Sequence, residues 1–434
     1  MEQKYCDRRN CARQPMKATL TLTLFLWTFG LNAQTTTYLN DLAALKSILE
    51  RTPSFKAQIK GEKLASYRDL YGSLASDTVS DPDSYQYFYH LSQLLFPLKD
   101  NHLGFYRVHD FEKFKDKESI DKFAATKEFL AYPQCEVNID SLKAALTRKP
   151  AESIEGIYHF GKFYDVGVFR SNDREYIGVI VGTETKLWQK GQIAIHLYEY
   201  GPNLYKAIYG HPLTKDFSLR TPEKYQYGSL VNSFFYVFNG RYVYTKQHPR
   251  VDHVNLPVNR PKFELKNINN DVQYLLIKTF QANGATRQQS REFYDSIKNA
   301  LTAPKLILDL RNNEGGAEKE TKKYYQLLKK YVNKGNLYVL LNNETVSQAE
   351  IFTLRLNKLK NTITAGQPTK GMLTYGSNYG KKETLPSGNF QIYITDMKGK
   401  PKHLKYEDLG IEPEIRLNNN SNWIDQVVEL KGRK

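Results

Sequence analysis

KLILDLRNNEGG, Lys305–Gly316, is followed one helical pattern later by LYVLLNNETVSQAEIF, Leu337–Phe352. Each stretch opens on a short, continuous apolar run, the pattern of a strand buried on both faces. Each then breaks into a polar turn: Arg311-Asn312-Asn313-Glu314-Gly315-Gly316 in the first, Asn342-Asn343-Glu344-Thr345-Val346-Ser347 in the second. A helix is expected between them over Glu318–Val332, and another from Ser347. Ahead of them, YLLIKTF (274–280) and a helix over Arg287–Leu301 repeat the alternation. Strands alternating with helices imply a mainly parallel sheet, whose chemistry gathers at the C-terminal ends of the strands. The segment 261–434 is therefore expected to be one αβ core.

Upstream the pattern changes. Residues 111–260 hold an aromatic β-rich domain, in which KFYDVGVFR and EYIGVIVG flank Ser171-Asn172-Asp173, and SFFYVF and RYVYTK flank the hairpin signal Asn239-Gly240. Pro257–Pro261 is the expected linker out of it. Residues 34–110 read as helical: Asn40 or Asp41 caps a helix carrying Leu42, Leu45 and Ile48, and Ser80-Asp81-Pro82 starts a helix carrying Phe88, Leu91, Leu95 and Leu98. His102 follows on a strand-like HLGFYRV. The fold class expected is α/β: an N-terminal helical segment, a middle antiparallel β-rich domain and a C-terminal mainly parallel core.

The 434 residues, 40% hydrophobic and 25% charged, suit two or three packed domains and exclude a disordered chain. Lys17, the apolar run Ala18–Leu31 and Asn32-Ala33-Gln34 have the layout of a secretory signal peptide over residues 1–33, with cleavage after Ala33 and translation starting at Met16. The run is shorter than the ~20 apolar residues that span a bilayer. Cleavage removes Cys6 and Cys11, so Cys135 is left alone and no disulfide forms within the mature chain. The expected location is periplasmic or extracellular. The net charge of +16 is dispersed; it suits contact with an anionic cell envelope, and no nucleic-acid motif concentrates it.

Gly315-Gly316 permits exposed backbone amides, and a helix start at Ser347 adds more amides and a favourable dipole for developing negative charge. Ser347-Gln348-Ala349-Glu350 reads equally as a capping box, in which Ser and Glu satisfy each other's backbone donors. No G-x-S-x-G, H-E-x-x-H or C-x-x-C motif is present.

The ordered blocks LILDLRNNEGG, VLLNNETVSQAEIF, GQPTKGM and YEDLGIEPEI resemble the core of the tail-specific, or C-terminal-processing, serine peptidases over about Phe263–Ile415. That clan also includes the tricorn core protease and interphotoreceptor retinoid-binding protein, on a ClpP/crotonase-like fold. The resemblance implies Ser347 as nucleophile, with oxyanion amides at Gly315 or Gly316 and at Gln348, no cofactor and no metal, and a peptide or protein substrate. The C-terminal-processing branch places its lysine base where this chain has Met372, with Lys370 two residues earlier. The tricorn-like branch uses a histidine and a glutamate instead. His102 and Glu407 match them, with Asn101 in place of a helper serine, and Glu407 orienting the imidazole directly or through a neighbour. Asp309 and Arg311 read as a structural pair holding their turn. No PDZ-like G-L-G-F loop is seen, so recognition of substrate tails does not carry over. The alternative function is a catalytically silent binding protein on the same core, taking an apolar ligand or an envelope partner.

Overall fold

The computed structural model describes residues 36–430 except 227, 238, 247–255 and 258. The expected leader at 1–33, with Cys6 and Cys11, lies outside the described residues.

The C-terminal sheet runs in the order Phe263–Asn267, Val272–Ile277, Lys305–Asp309, Asn336–Leu341, Thr362–Gly366, Ile415–Arg416. The first pair is antiparallel and all the others are parallel. The apolar runs place every residue of Val272–Ile277 and Thr362–Gly366 out of solvent, because helices cover the sheet on both faces. Gly284–Ile297, Glu318–Tyr331 and Gln348–Leu356 lie in the connections, with Tyr324, Leu328 and Phe352 packed among Leu275, Leu308 and Val339. Trp423 and Val427 of the last helix, Trp423–Glu429, belong to a second cluster with Ile307, Leu340 and Ala365.

The aromatic region is a closed antiparallel barrel. Gly156–Phe160, Tyr164–Asn172, Glu175–Thr183, Ile193–Gly201, Leu204–Gly210 and Phe217–Gln226 pair in sequence order. The short strands Ser229–Leu230 and Tyr244–Thr245 complete the ring, since Ser229 and Leu230 pair with Gln226 and Tyr225 while Thr245 pairs with Ser229. Closure removes the open edges that an antiparallel sheet otherwise exposes. Inside stand Tyr164, Trp188, Tyr209 and Tyr244, and the Tyr164 and Tyr244 hydroxyls hydrogen-bond at 2.8 Å. The hairpin Phe235–Val237/Gly240–Tyr242 is present, but its register pairs Gly240 with Val237, so Gly240 opens the second strand and Asn239, just before it, has φ 59°.

This sheet also takes strands from outside residues 111–260. Gly104–Arg107 pairs with Phe217–Gln226 on one side and with Phe390–Tyr393 on the other, and Phe390–Tyr393 pairs with Lys382–Thr384. Helices over 36–51, Pro53–Gln58, Glu62–Ser76 and Tyr85–Gln93 pack on the same apolar cluster as the barrel. Asp41 lies within the first helix instead of capping it; its carboxylate is buried and accepts from Tyr87 Oη and the Ser387 amide. The later helix starts at Tyr85 with Ser84 as its cap, and it ends at Gln93, with Leu94–Pro97 continuing as turns.

Candidate active site

The two turns lie side by side, tied through asparagines. Asn342 Oδ1 accepts from the Asn312 amide and Asn342 Nδ2 donates to Asn312 Oδ1, while the Val346 amide donates to the Asn313 carbonyl. Asp309 is buried beneath the first turn. Burial works against its ionisation, but Arg311, Arg260 and their hydrogen bonds outweigh that and hold its carboxyl at about 2. Asp309 and Arg311 thus act as the expected structural pair.

Ser347 caps the helix Gln348–Leu356 with φ 57° and ψ −120°. A residue with a Cβ pays about 1–3 kcal/mol for that region, so the turn holds it there by force of its contacts. The chief restraint is Glu350, which is fully buried. Its Oε2 accepts from the Ser347 and Met372 amides at 2.9 and 3.0 Å, and its Oε1 accepts from Thr369 Oγ1 and the Gly371 amide at 2.6 and 2.8 Å. The box reading of Ser347 and Glu350 therefore captures only part of this carboxylate's work. It joins the serine turn to the GQPTKGM loop.

With Glu350 on its amide, Ser347 directs Oγ to His102, whose Nε2 lies 3.1 Å away. His102 stands in a turn two residues ahead of the strand Gly104–Arg107, and Asp100 Oδ1 accepts from its backbone amide. Burial, and next the charge of Lys370, lower the imidazole to about 4, so it is neutral across the physiological range. Nδ1 is shut from solvent and has no partner among the described residues. Glu407 does not reach the ring. It accepts from the Asn101 amide at 3.0 Å and from the Leu373 and Thr374 amides at 3.2 and 2.9 Å, so it fixes the backbone beside His102. Asn101 is a bracket as well, donating from Nδ2 to the Gly371 carbonyl and to Asp408.

The two glycines separate in role. The Gly315 amide is taken by Asn313 Oδ1 at 2.9 Å, whereas the amides of Gly316 and Gln348 make no hydrogen bond among the described residues. Gly315 has φ 83°, and a Cβ there would stand 2.8 Å from the Gln348 nitrogen and 2.9 Å from the Ser347 Cβ. Bare backbone at 315 keeps the space beside Ser347 open.

The lysine alternative, Lys370, makes no hydrogen bond to the serine among the described residues. Met372 is tied by its backbone to Glu350, and Lys370 Nζ lies 5.3 Å from the centre of the Phe234 ring. Sequence reasoning missed Lys224, on the barrel strand Phe217–Gln226. Its ammonium is buried and donates to the carbonyls of Thr369, Lys370 and Leu409 at 3.2, 2.8 and 3.3 Å, and burial lowers it to about 8. Nothing in FSLRTPEKYQ marks that lysine as different from a solvated one.

The family model of peptidase family S41 matches residues 271–328 and 317–417. Its C-terminal core belongs to peptidase family S41. The S41 match covers the parallel strands from Val272–Ile277 to Ile415–Arg416, both turns and the GQPTKGM and YEDLGIEPEI blocks, and it identifies a serine peptidase. No curated protein matches the chain. Among solved structures it is similar to mature CPAF, at 11% identity over 89% of this chain and 93% of that one, TM-score 0.41. It is also similar to the photosystem II D1 C-terminal processing protease, at 12% identity over 91% and 96%, TM-score 0.35. A lipoprotein from Streptococcus agalactiae is similar at 19% identity over 39% and 69%, TM-score 0.29.

Proposed function

We propose that the protein hydrolyses peptide bonds through an acyl-enzyme on Ser347, with His102 as general base. The observation that carries this reading is the 3.1 Å contact between Ser347 Oγ and His102 Nε2, inside the reach proton transfer needs. Nε2 of the neutral ring takes the hydroxyl proton as Oγ attacks the scissile carbonyl. The negative charge on the carbonyl oxygen is met by the amides of Gly316 and Gln348 and by the start of the helix. The imidazolium then returns its proton to the departing amine, leaving the acyl ester, which water cleaves by the same route. Glu407 and Asn101 serve as positioning residues that hold the turn carrying His102.

A fluorophosphonate probe is expected to label the wild type at Ser347 and to leave Ser347→Ala unlabelled. His102→Ala should lower peptide hydrolysis about 10²–10⁴-fold, the usual worth of a general base. Labelling of Ser347→Ala at some other serine overturns the assignment, and an unlabelled wild type favours the silent binding protein. We propose further that the protein is exported, on the layout of Lys17 to Gln34. N-terminal sequencing of the protein from its native cells should begin at Gln34; an intact leader on protein in the cytosol refutes export.

A further inference from the structure

A cavity of about 370 Å³ opens beside the strand that follows His102, lined among others by Phe105, Ser218, Arg220, His211, Phe235 and Lys382. Arg220 donates no hydrogen bond and makes no ion pair among the described residues, and its Nε is shut from solvent. Ser218 Oγ, on the same strand, is buried and unpartnered as well. The nearby acids Glu223 and Glu344 act on Arg220 only through space, and Glu344 Oε1 is itself buried without a partner among the described residues. Glu344 pairs with Arg241 at 3.0 Å, and Glu223 accepts from Tyr209 Oη and from the Lys224 and Asn232 amides. Asp216 pairs with His109 and Arg107.

Positive charge accumulates here. Arg220, Arg241 and Lys370 lie 5.5, 4.5 and 5.3 Å from the centre of one ring, Phe234. Burial, with His109 and Arg220 adding to it, lowers His211 to about 3. A guanidinium withdrawn from water with no carboxylate in direct contact is only partly compensated by the more distant Glu223 and Glu344, and its fork of donors matches a carboxylate in two-point contact. The cavity lies toward the site: Gly104, on its wall, is two residues from His102, and Lys370, which shares the Phe234 ring with Arg220, is near enough for its charge to act on the His102 imidazole.

We propose that this cavity is a substrate subsite that takes a carboxylate carried by the polypeptide, held by Arg220. The proposal rests on the peptidase reading above. The carboxylate comes from an Asp or Glu side chain or from a chain terminus, and the experiment separates the two.

A synthetic peptide library with free C-termini and its C-terminally amidated twin are digested by the wild type, Ser347→Ala, Arg220→Met and Arg220→Lys. Both libraries are also passed over immobilised Ser347→Ala and over Ser347→Ala/Arg220→Met. Mass spectrometry should find Asp and Glu enriched at one fixed position from the cut in both libraries, about tenfold, as one charge-assisted pair supplies. Arg220→Met should lose the preference and Arg220→Lys retain part of it. If the terminus is the ligand, only the free-acid library is cut and retained. Cleavage with no acidic or terminal preference overturns the subsite and leaves the peptidase standing. If the wild type cuts nothing, the peptidase reading fails and retention decides the cavity: Arg220-dependent enrichment of acidic peptides supports carboxylate binding, and its absence refutes it. Arg220→Met should keep or raise the unfolding midpoint, since an arginine held for ligand burdens the fold. A large loss of stability marks Arg220 as structural and counts against the proposal.

Discussion

His102 meets the serine as a neutral ring with nothing on Nδ1. The base form is the unprotonated one, and burial together with Lys370 puts its titration at about 4 instead of 6.5. The acid limb of kcat/KM is therefore expected near pH 4, with activity falling as pH drops through that value and level above it until another group titrates. Lys370→Gln removes a cation that opposes protonation, so the limb should move up toward neutrality; a downward move or no move contradicts the assignment. The pair was legible in the sequence only because ordered blocks identified the family. HLGFY by itself does not distinguish His102 from the other histidines. Glu350 was half legible: S-x-x-E announces a capping carboxylate, but its hold on Thr369, Gly371 and Met372 joins segments about 20 residues apart. Glu350→Gln turns an amide NH₂ either toward the Ser347 and Met372 amides or toward the Gly371 amide and Thr369 Oγ1, opposing a backbone donor in both orientations, and should cost about 3 kcal/mol, with Ser347 labelling slowed at temperatures where the fold persists.

At the scale of elements, the site is a junction of loops, and its geometry depends on what each loop leans on. The first turn leans on the serine helix. Gly315→Ala puts a methyl against the Gln348 nitrogen and the Ser347 Cβ. The expected loss in kcat is about 10²–10³-fold, the worth of an obstructed oxyanion donor, while circular dichroism stays close to wild type. The GQPTKGM loop leans on the barrel through Lys224. Lys224→Met strands three carbonyls from two loops, and a loss of about 2–4 kcal/mol is expected in chemical unfolding, with faster proteolytic nicking near residue 370. The strands and helices of the core were readable from apolar runs and turn residues, to within a few positions. Lys224 and Arg220 were not, because a polar residue in an alternating strand reads as solvent-facing. Here the strand's neighbours fold over it.

For the whole molecule, the sequence separated helical, β-rich and αβ regions, but not the way one sheet runs through all of them. Pairings such as Phe105 with Ile392 and with Leu219 join distant segments, and no local signal specifies them. The barrel sheet draws on residues 104–107 and 382–393. Residues 111–260 expressed alone should consequently expose the Ser218–Leu219 edge, which Tyr106 and Phe105 otherwise pair, together with the aromatic cluster, and elute as aggregates by size-exclusion chromatography. Co-expression with the remaining segments should restore a soluble species. A monomeric, cooperatively unfolding fragment contradicts that expectation.

The reacting pair spans 245 residues of chain, and the strand that fixes one partner is completed by Phe390–Tyr393. During synthesis, therefore, a nascent chain holds both Ser347 and His102 well before it holds them together. On the proposed mechanism, hydrolytic capacity arrives only when almost the full length has emerged and folded. The topology itself gives the cell an interval in which the polypeptide is already present and still harmless.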